Sequence, residues 1–313
     1  MTRKIAFLFP GQGSQYIGMG SELAQAFPEA QKVFERVDEV CKKPISKLCF
    51  DGPMDELTLT ANLQPAVTAV SLACLVALNR SGIKPDVSAG HSLGEYAALV
   101  ASGVLTGPDA VSLVNKRGEL MHRESLEHPG AMAAVIGLSI GEVEQIVADI
   151  RENEVLGVAN HNTAEQIVIT GEKSPVSRAM AMAKEKGGKA IPLKVSGAWH
   201  CSLMDKAVGD FREFLEGFTF SEPKTSILFN ATADEEKNPL KIKDIMASQL
   251  ISPVRWYDII QKMIEKGTNV FVEVGPKTVL SGLMKKIIPS HVEASVYSVQ
   301  DIKTLDPLIE ALG

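Results

Sequence analysis

The sequence predicts an α/β fold in which a small unit is inserted into a larger unit built on a parallel sheet. Short apolar runs at residues 5–9 and 270–274 have the length of buried strands, and a helical pattern follows each of them. Residues 129–196 then change to a separate order of strands and helices. A length of 313 residues fits two domains, or one large domain with an insertion.

The amino-terminal half of the large unit opens with the strand at residues 5–9. This strand ends at PGQG, residues 10–13, because proline and glycine interrupt regular structure. Thr106 and Asp109 have the spacing of a helix cap. The other predicted elements here are helices at residues 22–41, 65–81, 95–101 and 106–124, and a strand at residues 87–89.

The inserted unit has the order β-α-β-β-α-β, which is the ferredoxin-like pattern. We therefore predict a small ferredoxin-like subdomain at residues 129–196 and a discontinuous large subdomain at residues 1–128 and 197–313. The predicted strands of the small unit are 131–136, 155–159, 166–170 and 189–193, and its helices are 139–151 and 174–186. The large unit resumes with helices at 203–215, 244–250, 257–266 and 279–286 and strands at 226–230 and 270–274.

Composition excludes several classes of function. With 32 Lys and Arg against 38 Asp and Glu, the net charge of −6 argues against nucleic-acid binding, which needs clustered positive charge. The four cysteines form no C-x-x-C pair, and the six histidines show no metal-ligand spacing. We therefore expect neither a disulfide framework nor a metal site.

Apolar segments also argue against export and membrane insertion. The run at residues 5–9 stops at Pro10, which is too short for the core of a signal peptide. The longest apolar region, residues 65–78, is interrupted by Thr68 and Ser71 and falls short of the roughly 20 residues of a membrane span. We expect a soluble protein of a reducing compartment, the cytoplasm.

A nucleophile motif lies between the predicted strand at 87–89 and the predicted helix at 95–101. GHSLG, residues 90–94, has the form G-x-S-x-G, in which small flanking residues allow a strand to turn sharply into a helix. The hydroxyl of Ser92 would then lie at a helix amino terminus, where free N–H groups favour developing negative charge. A structural Ser-Gly turn is the alternative.

A serine nucleophile needs a nearby base, and six histidines are available. We expect His91 to point away from its neighbour Ser92, and His122 and His128 to be surface residues. Chain position leaves His200, at the return from the small unit to the large one, and His291 as candidates.

Two further residues are candidates for binding. Gln12 follows the first strand, where loops of an α/β sheet converge, so its backbone N–H could join that of Leu93 in binding an oxyanion. Arg117 could clamp a carboxylate if it faces an apolar crevice, or could be a solvated helix arginine. The G-x-G at residues 11–13 does not complete a dinucleotide motif, because Tyr16 occupies the position of the third glycine.

Several of these segments together resemble the malonyl-CoA:acyl-carrier-protein transacylase family. The resemblance runs in order along nearly the whole chain. The matching segments are FPGQGSQ at 9–15, GHSLGEYAAL at 90–99, RGELM at 117–121, residues 160–162, QIVITG at 166–171, residues 197–200 and 249–256, and EVGP at 273–276. Members of this family combine an α/β-hydrolase-like large subdomain with a ferredoxin-like insertion, in agreement with the division predicted above.

The resemblance implies a role for each matching site residue. Ser92 would be the nucleophile and His200 its base, oriented by the main-chain carbonyl of Gln249 rather than by an acidic residue. Arg117 would bind the malonyl carboxylate. The backbone N–H groups of Gln12 and Leu93 would form the oxyanion hole, a role that the resemblance adds to their position in the chain.

The implied reaction is transfer of malonyl from malonyl-CoA to the phosphopantetheine thiol of acyl carrier protein in fatty acid synthesis, without a cofactor of the enzyme. Trp199 departs from the smaller or phenylalanine residues common in the family, which predicts a narrower acyl pocket. Because such carriers are acidic, a local basic patch is expected to bind them. The candidates are Lys184, Lys186, Lys189, Lys285 and Lys286, for which a solvated surface is the alternative.

Three other functions remain open from the sequence. A stand-alone acyltransferase of a polyketide pathway would use the same chemistry. A serine hydrolase or thioesterase would recruit His291 with Asp234 or Asp258, following the chain order Ser, acid, His. A catalytically silent, carrier-binding scaffold is the third.

Overall fold

The computed structural model describes residues 3–312, which form two sheets with helices packed around them. The strands are β1 (Ile5–Phe9), β2 (Val87–Gly90), β3 (Ala131–Ile136), β4 (Leu156–Thr163), β5 (Gln166–Gly171), β6 (Lys189–Pro192), β7 (Ser226–Ile227), β8 (Val270–Val274) and β9 (Ser295–Val299). The helices are α1 (Ser21–Ala26), α2 (Pro28–Cys41), α3 (Ile45–Asp51), α4 (Met54–Leu57), α5 (Thr60–Arg80), α6 (Glu95–Ala101), α7 (Gly107–Glu127), α8 (Ile140–Arg151), α9 (Lys173–Glu185), α10 (Asp205–Leu215), α11 (Pro239–Ser248), α12 (Trp256–Glu265), α13 (Val279–Ile287) and α14 (Ile302–Leu312).

The large sheet has five parallel strands in the order β7-β2-β1-β8-β9. In its centre Phe9 of β1 lies opposite Gly90 of β2, and Leu8 lies opposite Glu273 of β8. The three central strands β2, β1 and β8 are buried because helices cover both faces of the sheet, as in other parallel sheets. The loops that follow β1 and β2 therefore emerge side by side at the carboxyl edge of the sheet.

The small sheet has four antiparallel strands in the order β4-β5-β3-β6, with α8 and α9 packed on it. This is the predicted β-α-β-β-α-β arrangement, and the predicted α/β fold class is confirmed. Ser139 caps α8 with Glu142 in a reciprocal capping box. The small sheet meets the large unit at β4, where the N–H of Val254, in the segment before α12, donates to the carbonyl of Ala159 at 2.8 Å.

All strands of the small sheet come from residues 131–192, and those of the large sheet come from segments before and after them. The subdomain boundaries at 128/129 and 196/197 stay a prediction. Met1, Thr2 and Gly313, which the prediction assigns to the large subdomain, lie outside the described residues.

Helix α5 forms the centre of the largest hydrophobic core and packs against α2 and α7. It has the length and hydropathy of a membrane-spanning helix, yet 83% of its most apolar stretch is buried inside the fold. Its apolar composition therefore follows from its position in the core, because a helix surrounded by protein has no polar face.

Several predicted boundaries are wrong. The helix expected at residues 22–41 is broken into α1 and α2, because Phe27 before Pro28 adopts an extended conformation with φ −124°. Helix α5 begins at Thr60 rather than at Pro65, and the strand expected at 226–230 has only the two residues of β7. The sequence prediction also missed α3, α4, β9 and α14.

The turn from β2 into α6 depends on backbone contacts that leave no room for side chains. A Cβ atom on Gly90 would lie 1.9 Å from the carbonyl carbon of Gly94, and one on Gly94 would lie 2.0 Å from the carbonyl oxygen of Phe9. Real Cβ atoms do not approach backbone atoms so closely. The first strand and the turn are thus packed directly on each other.

Replacing Gly94 by alanine should lower the free energy of unfolding by about 1–3 kcal/mol or more, because rigid backbone atoms must move to admit the methyl group. Urea unfolding followed by circular dichroism measures this change. Gly141→Ala is the matched control, since its added Cβ meets no atom within 4 Å, and it should be neutral or stabilising by up to about 1 kcal/mol. Equal stability of the two variants would contradict the close packing.

Candidate active site

Ser92 lies at the tip of the sharp turn between β2 and α6. Its backbone has φ 50°, in the left-handed region that a residue with a side chain rarely adopts. A single helical turn, Ser92–Gly94, continues directly into α6. Such strained positions persist only where the surroundings enforce them, and they are concentrated at functional sites.

His200 reaches Ser92 from the segment that follows the small sheet. Its Nε2 atom lies 2.8 Å from Ser92 Oγ, and the residue is buried, also with a positive φ of 62°. His200 Nδ1 lies 3.0 Å from the carbonyl oxygens of both Gln249 and Ser252. Carbonyl oxygens only accept hydrogen bonds, so Nδ1 carries the proton and Nε2 presents its lone pair to the serine hydroxyl.

The surroundings of His200 keep its imidazole neutral. Burial is the main cause that lowers its pKa from 6.5 to about 3, and the nearby positive charge of Arg117 lowers it further, whereas the bonds to the two carbonyls raise it. A neutral imidazole is the form that can accept a proton from a hydroxyl. His200 therefore has the protonation state of a base across the physiological pH range.

Arg117 on α7 is almost fully buried, at 1% exposure, and faces the same hydroxyl. One terminal nitrogen donates to Ser92 Oγ at 3.1 Å and to the side-chain oxygen of Gln249 at 3.0 Å, and the other donates to that of Gln64 at 2.9 Å. Its Nε is buried without a partner among the described residues. A buried guanidinium held by neutral groups favours a bound anion.

Asn230 holds the turn from its other side. Its side-chain oxygen accepts from the backbone N–H of Ser92 at 2.6 Å, and its side-chain amide donates to the carbonyl of Gly90 at 2.7 Å. The side-chain amide of Gln249 donates to the carbonyl of Ser92 at 2.9 Å. Both backbone polar groups of Ser92 are thus fixed by side chains more than 130 positions away in the chain.

A cavity of about 110 Å³ contains the serine, the histidine and the arginine. It opens beside a larger cavity of about 680 Å³, with which it shares Gln12, Leu193 and Val195. Its lining residues are Gln12, His91, Ser92, Leu93, Arg117, Met121, Met132, Asn160, Leu193, Val195, Trp199 and His200. The structure therefore brings Gln12, Leu93 and Trp199, all singled out from the sequence, to the same cavity as Ser92.

Among the described residues, no candidate histidine other than His200 hydrogen-bonds to Ser92. His291 is exposed and does not line this cavity. His91 lines the cavity, but its Nε2 bonds to the side-chain oxygen of Asn162 at 2.8 Å rather than to Ser92. The expectation that His122 is a surface residue is wrong, because it is half-buried and lines the larger cavity. The five candidate lysines, Lys184, Lys186, Lys189, Lys285 and Lys286, are exposed.

The cysteine thiols are poorer candidates for a nucleophile than the hydroxyl of Ser92. All four cysteines are buried and unpaired. Cys201 adjoins His200 in the chain, but burial raises the pKa of its thiol, so it is protonated at neutral pH.

Sequence analysis missed Asn230, Gln64 and the carbonyl of Ser252. Nothing in the local sequence distinguishes Asn230 or Gln64 from other polar residues of their segments. The one available signal was the strand predicted near residues 226–230, because a polar residue at the carboxyl end of a strand faces the edge where ligands bind.

Comparison with known proteins places the chain among acyltransferases. A family model of the acyl transferase domain matches residues 6–305. The malonyl CoA-acyl carrier protein transacylase of Bacillus subtilis strain 168 is 43% identical over 311 residues, 99% of this chain and 97% of that protein. The Escherichia coli K12 protein of the same name is 38% identical over 287 residues, 91% of this chain and 93% of its own length.

Solved structures agree in fold. An acyl carrier protein S-malonyltransferase from Vibrio cholerae superposes with a TM-score of 0.93 at 38% identity, over 97% of this chain and 99% of that one. A malonyl-transacylase solved in complex with a type II polyketide-synthase acyl-carrier protein superposes with a TM-score of 0.93 at 35% identity, over 98% and 99% of the two chains.

An α/β fold with a hydrogen-bonded serine–histidine pair, matched over its length by acyltransferases, defines an acyl-transfer enzyme. The chain belongs to the acyl transferase domain family, among the malonyl-CoA:acyl-carrier-protein transacylases.

Replacing Asn230 by alanine should destabilise the protein by about 2–4 kcal/mol, because a buried N–H and a buried C=O of the turn both lose their partner. Urea unfolding measures the loss. Asn153→Ala, at an exposed position of the loop after α8, is the control and should stay within about 0.5 kcal/mol of the parent. A loss for Asn230→Ala no larger than that of the control would contradict its assigned contacts.

Proposed function

We propose that this enzyme transfers the malonyl group from malonyl-CoA to the phosphopantetheine thiol of acyl carrier protein, through a malonyl ester on Ser92. The observation that carries this proposal is the position of Ser92 Oγ, 2.8 Å from the base His200 and 3.1 Å from the buried cation Arg117. A nucleophile, its base and an anion-binding group are all within reach of one acyl group.

In the first half-reaction, His200 Nε2 takes the hydroxyl proton while Ser92 Oγ forms a bond to the thioester carbonyl carbon of malonyl-CoA. The backbone N–H groups of Gln12 and Leu93 bind the resulting oxyanion, and each such donor is worth about 2.7–4 kcal/mol in other enzymes. The carbon–sulfur bond then breaks. The CoA sulfur leaves with the proton that His200 returns, and malonyl remains on Ser92.

The second half-reaction reverses these steps with a different thiol. His200 takes the proton of the phosphopantetheine thiol, the sulfur attacks the malonyl ester, and Ser92 leaves with the proton. The larger cavity of about 680 Å³ beside the acyl site is within the usual size range for a bound organic group. The reaction needs no cofactor of the enzyme, since the phosphopantetheine is part of the partner protein.

Arg117 provides specificity for a dicarboxylic acyl group. Its guanidinium is buried and bonds only to neutral side chains among the described residues, so the free carboxylate of malonyl supplies its counter-charge. An acetyl group leaves this charge unpaired. The ring of Trp199 lies against the same cavity, and its bulk disfavours longer or branched acyl groups.

Binding of the acidic carrier requires a local positive surface on an enzyme of net charge −6. Exposed lysines of the small sheet region, Lys184, Lys186 and Lys189, are one candidate patch, and Lys285 and Lys286 at the end of α13 are the other. The compartment of this reaction is the cytoplasm, where the four buried thiols remain reduced.

A carrier of polyketide rather than fatty acid synthesis is the second candidate acceptor. The observation that favours it is the structural match to a malonyl-transacylase bound to a type II polyketide-synthase carrier. Malonyl transfer to purified carriers of both kinds, compared by kcat/KM, distinguishes the two.

Replacing His200 by alanine should slow formation of the malonyl-enzyme by about 10³-fold or more, because the hydroxyl of Ser92 loses its base. Quenched-flow with radiolabelled malonyl-CoA measures the rate. His291→Ala is the control and should retain the parent rate, since His291 is exposed outside the cavity. A loss in His291→Ala and none in His200→Ala would favour the serine hydrolase instead.

Replacing Arg117 by alanine should lower kcat/KM for malonyl-CoA by about 10²-fold or more, the cost of leaving a bound carboxylate without its partner. The rate with acetyl-CoA should fall by less than about 10-fold. Equal losses for the two acyl groups would contradict the role of Arg117 as the carboxylate clamp.

A further inference from the structure

A buried carboxylate that the proposed mechanism does not use lies at the start of α6, three residues after Ser92. Glu95 is the first residue of α6 and is fully buried, at 0% exposure. One of its oxygens accepts from the backbone N–H of Asn230 at 2.7 Å, and the other accepts from the side-chain amide of Gln249. Both oxygens are therefore bonded to residues that hold Ser92.

Through Asn230, Glu95 fixes one side of the turn. Its bond to the backbone of Asn230 sets where that residue lies, and the side chain of Asn230 then binds the N–H of Ser92 and the carbonyl of Gly90. A displacement of Asn230 would move the backbone on which the nucleophile is carried.

Through Gln249, Glu95 fixes the other side of the turn. It also determines which way the side-chain amide of Gln249 is oriented. The two hydrogens of the Gln249 amide nitrogen go to Glu95 and to the carbonyl of Ser92, which leaves the amide oxygen to accept from Arg117. If the amide turned over, its nitrogen would face the guanidinium, donor against donor. A carboxylate at residue 95, which only accepts, selects the orientation that suits both Ser92 and Arg117.

We propose that Glu95 is a positioning residue for acyl transfer, which sets the backbone of Ser92 through Asn230 and the side chain of Gln249 toward Arg117. The inference rests on the proposed function. Glu95 touches neither substrate nor the reacting hydroxyl, so it acts through these two neighbours.

Glu95 can accept both of these hydrogen bonds only when its carboxylate is ionised. Burial raises the pKa of Glu95 to about 7, against the opposing effects of the bonds from Asn230 and Gln249 and of the Arg117 charge. The charged and titratable groups that face it are Arg117 on α7 and the neighbouring Tyr96. Protonation would replace an acceptor by a donor and break one of the two bonds.

The pH dependences of rate and of stability therefore have opposite signs. Transfer needs the ionised form, so the rate should fall as the pH drops through about 7, a limb that His200 does not produce because its pKa is about 3. Folding favours the protonated form, because the folded pKa exceeds the ordinary value of 4.5. This stabilisation is complete below pH 4.5 and is lost as the pH rises through about 7.

The test compares the parent with Glu95→Gln and with a matched variant, Glu273→Gln. Glu273 is also a buried carboxylate, at 1% exposure, but it accepts from backbone N–H groups of Leu280 and Ser281 away from Ser92. Malonyl-enzyme and acetyl-enzyme formation are measured by quenched-flow across the pH range, and urea unfolding is measured on the same samples.

Glu95→Gln should lower the maximal rate about 10–10²-fold for malonyl and acetyl alike, because a misplaced nucleophile affects every acyl group. It should also lose the acid limb and become more stable relative to the parent as the pH rises. Glu273→Gln should keep the acid limb and stay within about 2-fold of the parent rate, whatever its stability.

A Glu95→Gln variant with the parent's rate and pH profile would overturn the proposal. So would a parent enzyme without the acid limb, a measurement that needs no variant and applies even if Glu95→Gln fails to fold. If the parent enzyme forms no ester on Ser92, the proposed function is wrong. That result is distinguishable from the two results above, in both of which the parent enzyme still forms the ester.

Discussion

The site depends on one constraint, the left-handed backbone of Ser92 at φ 50° between β2 and α6. The close contact of Gly94 with the carbonyl of Phe9 makes the turn tight, and Asn230 and Gln249 bind both backbone polar groups of the serine. Strain of this kind costs about 1–3 kcal/mol and persists because several contacts enforce it at once. As a result, the hydroxyl of Ser92 projects into the cavity at the start of a helix, and the backbone of Ser92 is held in place by these contacts without a bound substrate.

The proposed base, His200, is positioned without an acidic partner. Two main-chain carbonyls, those of Gln249 and Ser252, hold the proton of His200 on Nδ1, so the imidazole needs no carboxylate to select its tautomer. The buried carboxylate of this region, Glu95, does not contact His200 in this way. It accepts hydrogen bonds from Asn230 and Gln249, the two residues that bind the backbone of Ser92. In the proposed mechanism Arg117 is the cation that meets the incoming carboxylate, and among residues 3–312 its guanidinium bonds to the neutral side chains of Gln64, Ser92 and Gln249.

Local sequence patterns predicted the parts of the structure that local forces determine. The predicted bounds are correct for the strands at residues 5–9 and 270–274 and for helix α6, and α7 begins at its predicted cap. Periodicity, glycine and capping residues act over only a few positions, so the local sequence is sufficient to predict these features. The break at Phe27 was missed although Pro28 is a local signal for it, whereas the inclusion of Pro65 inside α5 was missed because tertiary packing overrides propensity there. The contacts of Asn230 and Glu95 join residues more than 130 positions apart, so no local pattern could have revealed them.

The central claim is that Ser92 stores the malonyl group as an ester between the two thiols. Peptide mass mapping of the enzyme after mixing with malonyl-CoA alone, and again after adding phosphopantetheine-bearing acyl carrier protein, tests it most directly. We expect one malonyl group on the peptide that contains Ser92, and this group disappears as malonyl appears on the carrier. Malonyl found on another residue, or a carrier loaded while Ser92 stays unmodified throughout, would contradict it.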